Sequence, residues 1–341
     1  MLRMGKISES VLRRSVLRLI HRKDGNVQKQ HDAVISVKNT AAEAVSALAP
    51  VSGAPDSIGI RGVMEAVNGL AAAGAEPSGI MLSLLLPPDT EEATLRQIIG
   101  DADNTCVRLG TEIIGGHTEV TNAVNRPVLS VTAIGSRPEA PAQKAADARN
   151  SVGWPAQRVH RDQDLVLTKQ IALEASWLLA KEKRSELRSR FAADLIDMAE
   201  RLGEQMSVLP EAEVLRQHPE AGATAMYDVS RGGIFGALWE FVDAAGVGLD
   251  VDIRRIPIRQ ETVEICEFFD VNPYEALSGG SLLIASDNGE ETVRILREDG
   301  ITAAVIGRTT EGPQRILHNG EEVRYLDRPQ PDSLLRIKGL L

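Results

Sequence analysis

IMLSLLLPPDTEEATLRQIIGDADNTCVRLGTEII, residues 80–114, reads as strand, break, helix and strand. Ile80 to Leu86 is an apolar run short enough for a buried strand and too short to span a bilayer. Pro87, Pro88 and Asp89 then break the chain. Thr90 is placed to cap a helix, with Glu91 and Glu92 in its first turn, where negative charge meets the helix dipole. Leu95, Ile98, Ile99, Ala102, Cys106 and Leu109 recur at helical spacing and mark its buried stripe. Cys106 is thereby expected in a core, as a small hydrophobe rather than a nucleophile. Glu112 to Ile114 starts the next strand, and Val128 to Ile134 supplies another. A β-α-β run of this kind argues for an α/β fold.

Upstream, residues 8–22 read as an amphipathic helix capped by Ser8, and His31 to Lys38 alternates like a strand. Residues 50–58 carry turn chemistry, and residues 60–73 form a small-residue helix stopped by Gly74. Downstream, residues 136–163 hold three prolines and mixed charge, and break the pattern. They read as a linker or inserted loop, which puts a boundary near 160 and divides the chain into domains 1–160 and 161–341. The second half restarts with a strand at 164–168 and helices at 171–181 and 184–204. Strands at 224–227, 249–253, 281–285 and 302–306 then alternate with helices at 233–244, 261–269 and 290–298. Asn319-Gly320 between two short apolar runs signals a hairpin.

At 341 residues the chain can build two cores, and with only 3% aromatics these must be made of Leu, Ile, Val and Ala. A formal net charge of -10 argues against nucleic acid, whose phosphates demand Lys and Arg. The two cysteines, Cys106 and Cys266, form no CxxC pair and fit a reducing cytoplasm. Residues 1–6 lead into a charged helix without the apolar core of a signal peptide, so neither secretion nor a membrane partner is expected.

Three glycine-bearing stretches carry candidate chemistry. Gly115-Gly116-His117-Thr118-Glu119 lets backbone approach a ligand and places polar groups just beyond; a tight turn with a capping residue reads equally well. Asp228-Val229-Ser230-Arg231-Gly232-Gly233 lies between a strand end and a helix start, where free amides attract anions. There Asp228 suits a metal or hydroxyl and Arg231 a phosphate, while an N-cap beside an exposed Arg is the plain alternative. Ser278-Gly279-Gly280 precedes a strand and is either a second ligand-facing turn or a simple loop. None matches the phosphate-loop or dinucleotide fingerprint.

Together these segments resemble the aminoimidazole ribonucleotide (AIR) synthase superfamily over about 300 residues. Residues 66–77 (AVNGLAAAGAEP) are similar to its NDxAAxGAxP helix end, and 115–121 to its glycine-pair motif. Leu167-Thr168-Lys169 with Leu173-Glu174 looks like the start of its second domain, and 228–240 like its DVTEGGxxGALWE segment. Residues 256–265 and 272–284 also match in order. The resemblance is nearest to the branch of the hydrogenase maturation factor that makes a nitrile from a carbamoylated cysteine. It implies a two-domain α/β (α+β) fold, with an N-terminal α/β domain that forms a β-barrel between subunits and a ferredoxin-like C-terminal domain. It also implies a homodimer that binds ATP in a cleft and phosphorylates an amide-like oxygen of a small-molecule substrate.

Carried onto this chain, the resemblance puts Lys6 at the phosphates, with Asp228 and Arg231 facing the substrate. Asn68, Gly115, Gly116, His117, Thr118, Gly232, Gly233, Ser278 and Gly279 face the nucleotide, while Asp32 and Glu119 hold Mg2+. The sequence departs from the family where acids are expected: His31, Ala49 and Gly69 stand in their places. Tyr227 and Arg231 replace His and Glu, and the chain's last residues carry no cysteine. Two lone carboxylates would hold Mg2+ loosely. A non-catalytic relative that binds a ligand or partner is therefore the rival to an ATP-using enzyme.

Overall fold

The structure, a computed structural model, describes residues 33–35, 43–137 and 156–341. The expected helix at 8–22, Lys6, Asp32 and most of the 136–163 segment lie outside the described residues. The first half is built on a five-stranded sheet ordered β1-β2-β5-β3-β4. Its strands are β1 (Ala33–Ile35), β2 (Glu43–Ser52), β3 (Glu76–Leu86), β4 (Ile113–Val120) and β5 (Val128–Arg137). β3 and β4 run parallel and the other pairs antiparallel, so the 80–114 stretch is the crossover it was read to be.

Helices α1 (Pro55–Ala72) and α2 (Glu92–Arg108) cover one face of this sheet. Every second residue of β5 is buried, as expected for a strand with one covered face. Ala47, Ala49 and Val51 of β2 point the same way, into a core with Ile58, Val67, Leu70, Ile98 and Cys106. Each fully buried Ile or Leu there contributes roughly 1.5–3 kcal/mol. Cys106 is in the core as expected, and burial pushes its thiol up to about 11.

The second half holds a seven-stranded sheet ordered β12-β11-β8-β10-β6-β9-β7. These strands are β6 (Asp164–Thr168), β7 (Ala223–Val229), β8 (Gly248–Asp252), β9 (Ser281–Ser286), β10 (Ala303–Thr310), β11 (Arg315–Asn319) and β12 (Glu322–Tyr325). Both faces of its centre are buried. Leu165, Leu167, Leu283 and Ala285 face one cluster with α7 (Gly233–Ala245). Val166, Leu282 and Ile284 face another with α6 (Leu209–Gln217) and α9 (Gly289–Glu298). Helices α3 (Leu173–Glu182), α4 (Arg184–Leu187), α5 (Ala193–Arg201) and α8 (Gln260–Phe268) form a third cluster, which takes in Met64 of α1.

Several boundaries differ from expectation for local reasons. α1 begins at Pro55 rather than residue 60, because proline is preorganised for the first helical turn. Glu91 rather than Thr90 is the N-cap of α2, and no side chain caps it. The helix expected at 184–204 is broken into α4, α5 and a short 3-10 turn at Leu202–Gln205. Helix α6 was not anticipated. The glycine pair Gly115-Gly116 is not a turn but lies inside strand β4.

Candidate functional site

Residues 61, 65 and 68 stand at i, i+4 and i+7 on α1 and form one polar stripe on a helix that is apolar elsewhere beyond its first turn. The stripe faces the second half. Arg61 Nε meets Glu174 Oε1 of α3 at 2.9 Å, with both side chains almost wholly buried. Arg61 Nη1 also donates to the Ser52 carbonyl at 3.2 Å. Glu65 pairs with Arg231 at 3.2 Å, and Arg231 donates as well to the Pro50 carbonyl. Asn68 donates to the Met206 carbonyl at 2.7 Å and accepts from the Val208 N–H at 3.0 Å.

These residues line a small cavity at the joint of the two halves, with room for about one water molecule. Arg61, Glu65 and Asn68 line it from the first half; Glu174, Asp228 and Gly279 line it from the second. Met64, Met206 and Ser230 complete the wall. Gly279 is a glycine for a steric reason: a Cβ there would lie 2.5 Å from Glu174 Oε2. Burial raises the Glu65 carboxyl above its ordinary range, Arg231 pulls it back, and Glu174 pushes it up again. The cavity thus holds a carboxyl, Glu65, that keeps its proton more firmly than an ordinary glutamate.

The structure brings together some of the expected site residues and separates others. Asn68, Asp228 and Gly279 share the cavity. Arg231 lies beside it, but its guanidinium is turned to Glu65 and Pro50. Gly232 and Gly233 begin α7, where Asp332 of the chain itself accepts from the Gly232 N–H at 3.0 Å. Ser278 is fully buried; its hydroxyl accepts from the Ala172 N–H at 2.7 Å and donates to the Ala276 carbonyl at 2.9 Å. Gly115, Gly116, His117, Thr118 and Glu119 lie apart from the cavity on exposed edge strand β4, where His117 and Glu119 approach to 3.4 Å. A Cβ on Gly116 would strike the Leu82 carbonyl, so the glycine lets β4 lie against β3. Among the described residues no group of three or more His, Cys, Asp or Glu is placed to hold a metal ion.

Arg61, Glu65 and Met206 were not anticipated, and Glu174 entered only through a motif. The polar stripe at 61, 65 and 68 was the signal available for the first two.

Two sheets joined across a charged cavity define a two-part α/β protein of the AIR synthase architecture. The family model for the N-terminal domain of AIR synthase related protein matches residues 24–136, and that for its C-terminal domain matches 161–318. The chain belongs to this family. It is 26% identical over 263 residues to carbamoyl dehydratase HypE of Rhodobacter capsulatus, covering 76% of this chain and 72% of the relative. A crystal structure of the hydrogenase maturation protein HypE in complex with ATP has the same fold (TM-score 0.63, 18% identity, 84% of this chain and 86% of that one). So does AaThiL complexed with AMPPCP and TMP (TM-score 0.67, 14% identity, 86% of this chain and 90% of that one).

Proposed function

We propose that this protein binds ATP as a homodimer and activates an amide-like oxygen of a small molecule. The observation that carries this reading is the cavity at the joint, where Asn68 of the first half meets Asp228 and Gly279 of the second. Relatives named for carbamoyl dehydration and a HypE solved with ATP support the same chemistry. In this reading domains 1–160 and 161–341 contribute one wall each. Arg61 and Glu174 fix the wall's charges, Asn68 fixes the 206–208 turn, and Glu65 stores or gives up a proton at its carboxyl oxygen. Gly115 to Glu119 serve the nucleotide from the sheet edge, with Lys6 at its phosphates.

The described residues of one subunit do not assemble a Mg2+ site, since Glu119 is exposed with only His117 beside it. A second reading, a homologue that binds nucleotide without hydrolysing it, is favoured by Ala49. That position holds no acid, and its side chain is 2% exposed inside the first core.

Calorimetric titration with a non-hydrolysable ATP analogue, with and without Mg2+, tests both. Saturable binding is expected, and its absence overturns the nucleotide reading. Tightening by Mg2+ of tenfold or more, ~1.4 kcal/mol, supports the enzyme; indifference to Mg2+ supports the second reading.

A further inference from the structure

The loop between β6 and α3 enters the left-handed region twice in four residues, with φ 53° at Lys169 and 52° at Ala172. Glycine is at ease there, whereas a residue with a side chain is strained. This loop is a hub for the walls of the cavity. The Lys169 ammonium donates to the Ser207 carbonyl at 2.6 Å and to the Gly280 carbonyl at 3.0 Å, and pairs with Glu211 Oε1 at 2.7 Å. Three acceptors thus meet the three donors of one ammonium. Glu211 is fully buried, and the Thr168 hydroxyl donates to the same carboxylate oxygen at 3.2 Å. The Gln170 carbonyl accepts from the Ser281 hydroxyl, and the Ala172 N–H donates to Ser278 Oγ. Each loop held in this way carries a residue of the cavity wall: Met206 beside Ser207, and Gly279 beside Gly280. The two loops also meet backbone to backbone, since a Cβ on Gly280 would lie 2.8 Å from both the Gln205 carbonyl oxygen and the Met206 Cα.

We propose that Lys169 is a positioning residue, whose ammonium holds the 205–208 and 278–281 loops at the spacing that shapes the joint cavity for its ligand. The first half grips the same turn from the other side, through Asn68 at the Met206 carbonyl and the Val208 N–H. One half therefore fixes positions 206 and 208, and the other fixes 207 between them. A residue that merely filled the turn would best be glycine, which adopts this backbone without strain. The contacts made by the ammonium explain why a lysine stands there instead. That the ligand is a nucleotide rests on the proposed function; the hold on the two loops does not.

The test removes the ammonium without stranding its partner. Lys169→Met alone would leave a buried carboxylate unpaired and destabilise the whole chain. Lys169→Met combined with Glu211→Gln removes both charges. Hydrogen exchange in the full chain is compared for peptides covering 205–208, 278–281 and the β11–β12 hairpin. Exchange about tenfold faster in the first two, with the hairpin unchanged, supports the proposal. Wild-type exchange in those two, or an equal rise in all three, overturns it.

Titration with the non-hydrolysable ATP analogue then reads the ligand. Binding about tenfold weaker than wild type is expected, and equal affinity overturns the positioning of the ligand. A wild type that binds no analogue sinks the nucleotide reading instead, and the exchange comparison then decides the role of Lys169. Should the double variant not fold, Lys169→Arg keeps the charge beside Glu211 but replaces the ammonium with a planar fork. Faster exchange confined to the two loops then supports the proposal, and wild-type exchange there overturns it.

Discussion

At the scale of single residues, the joint is governed by a few charges taken out of water. Arg61 and Glu174 are 2% and 6% exposed, so removing either strands the other. Arg61→Ala is expected to cost about 3–5 kcal/mol in urea unfolding, and the Arg61→Met, Glu174→Met double variant clearly less. Ala49, where the sequence resemblance leads one to expect an acid, faces the core. Ala49→Asp should destabilise by about 3 kcal/mol or more, and so fail to restore a metal ligand; a variant as stable as wild type would refute the assigned inward orientation. Glu65 was invisible to motif reading because its meaning depends on Arg231, far along the chain. Its raised carboxyl means that ionised Glu65 costs stability, which is lost as pH rises above 4.5 through its folded value. Unfolding measured against pH should show wild type gaining stability on acidification relative to Glu65→Gln, with no such difference if the carboxyl is ordinary.

At the scale of elements, strand alternation and helix spacing were legible wherever one face is covered. The buried stripe of α2 and the limits of β6 stand as read. Turn residues misled where one serves packing, as Gly116 does inside β4. Among the described residues, strand β4 and the open face of its sheet expose Ile114, Val120, Met81 and Leu48 by 54%, 59%, 45% and 58%. Leu48 and Met81 flank Thr132 in register, setting two apolar side chains on either side of a threonine across three strands. This face suits the proposed pairing with a second copy. Met81→Lys combined with Leu48→Arg should convert a dimer to monomer in sedimentation velocity while leaving circular dichroism unchanged. A wild type that sediments as a monomer, or a variant that stays dimeric, would remove this face from the interface. Gly116→Val should destabilise by about 1–3 kcal/mol, because β4 must leave β3.

At the scale of the whole molecule, two sheets meet along α1, the 228–233 and 277–281 loops, and segment 332–341. The sequence alone determined the α/β class, the order of most elements, the core positions and membership of the superfamily. Those follow from periodicity and from motifs that are local or ordered along the chain, and such information survives without coordinates. It also supplied Asn68, Asp228 and Gly279 as candidates. Only the tertiary structure decided which of them share a cavity, that Arg231 pairs with Glu65, and that Asp332 fills the start of α7. The Arg231–Glu65 and Gly232–Asp332 contacts join residues a hundred positions apart or more, and their strength depends on burial that only the folded chain supplies. No local pattern in the chain encodes that pairing.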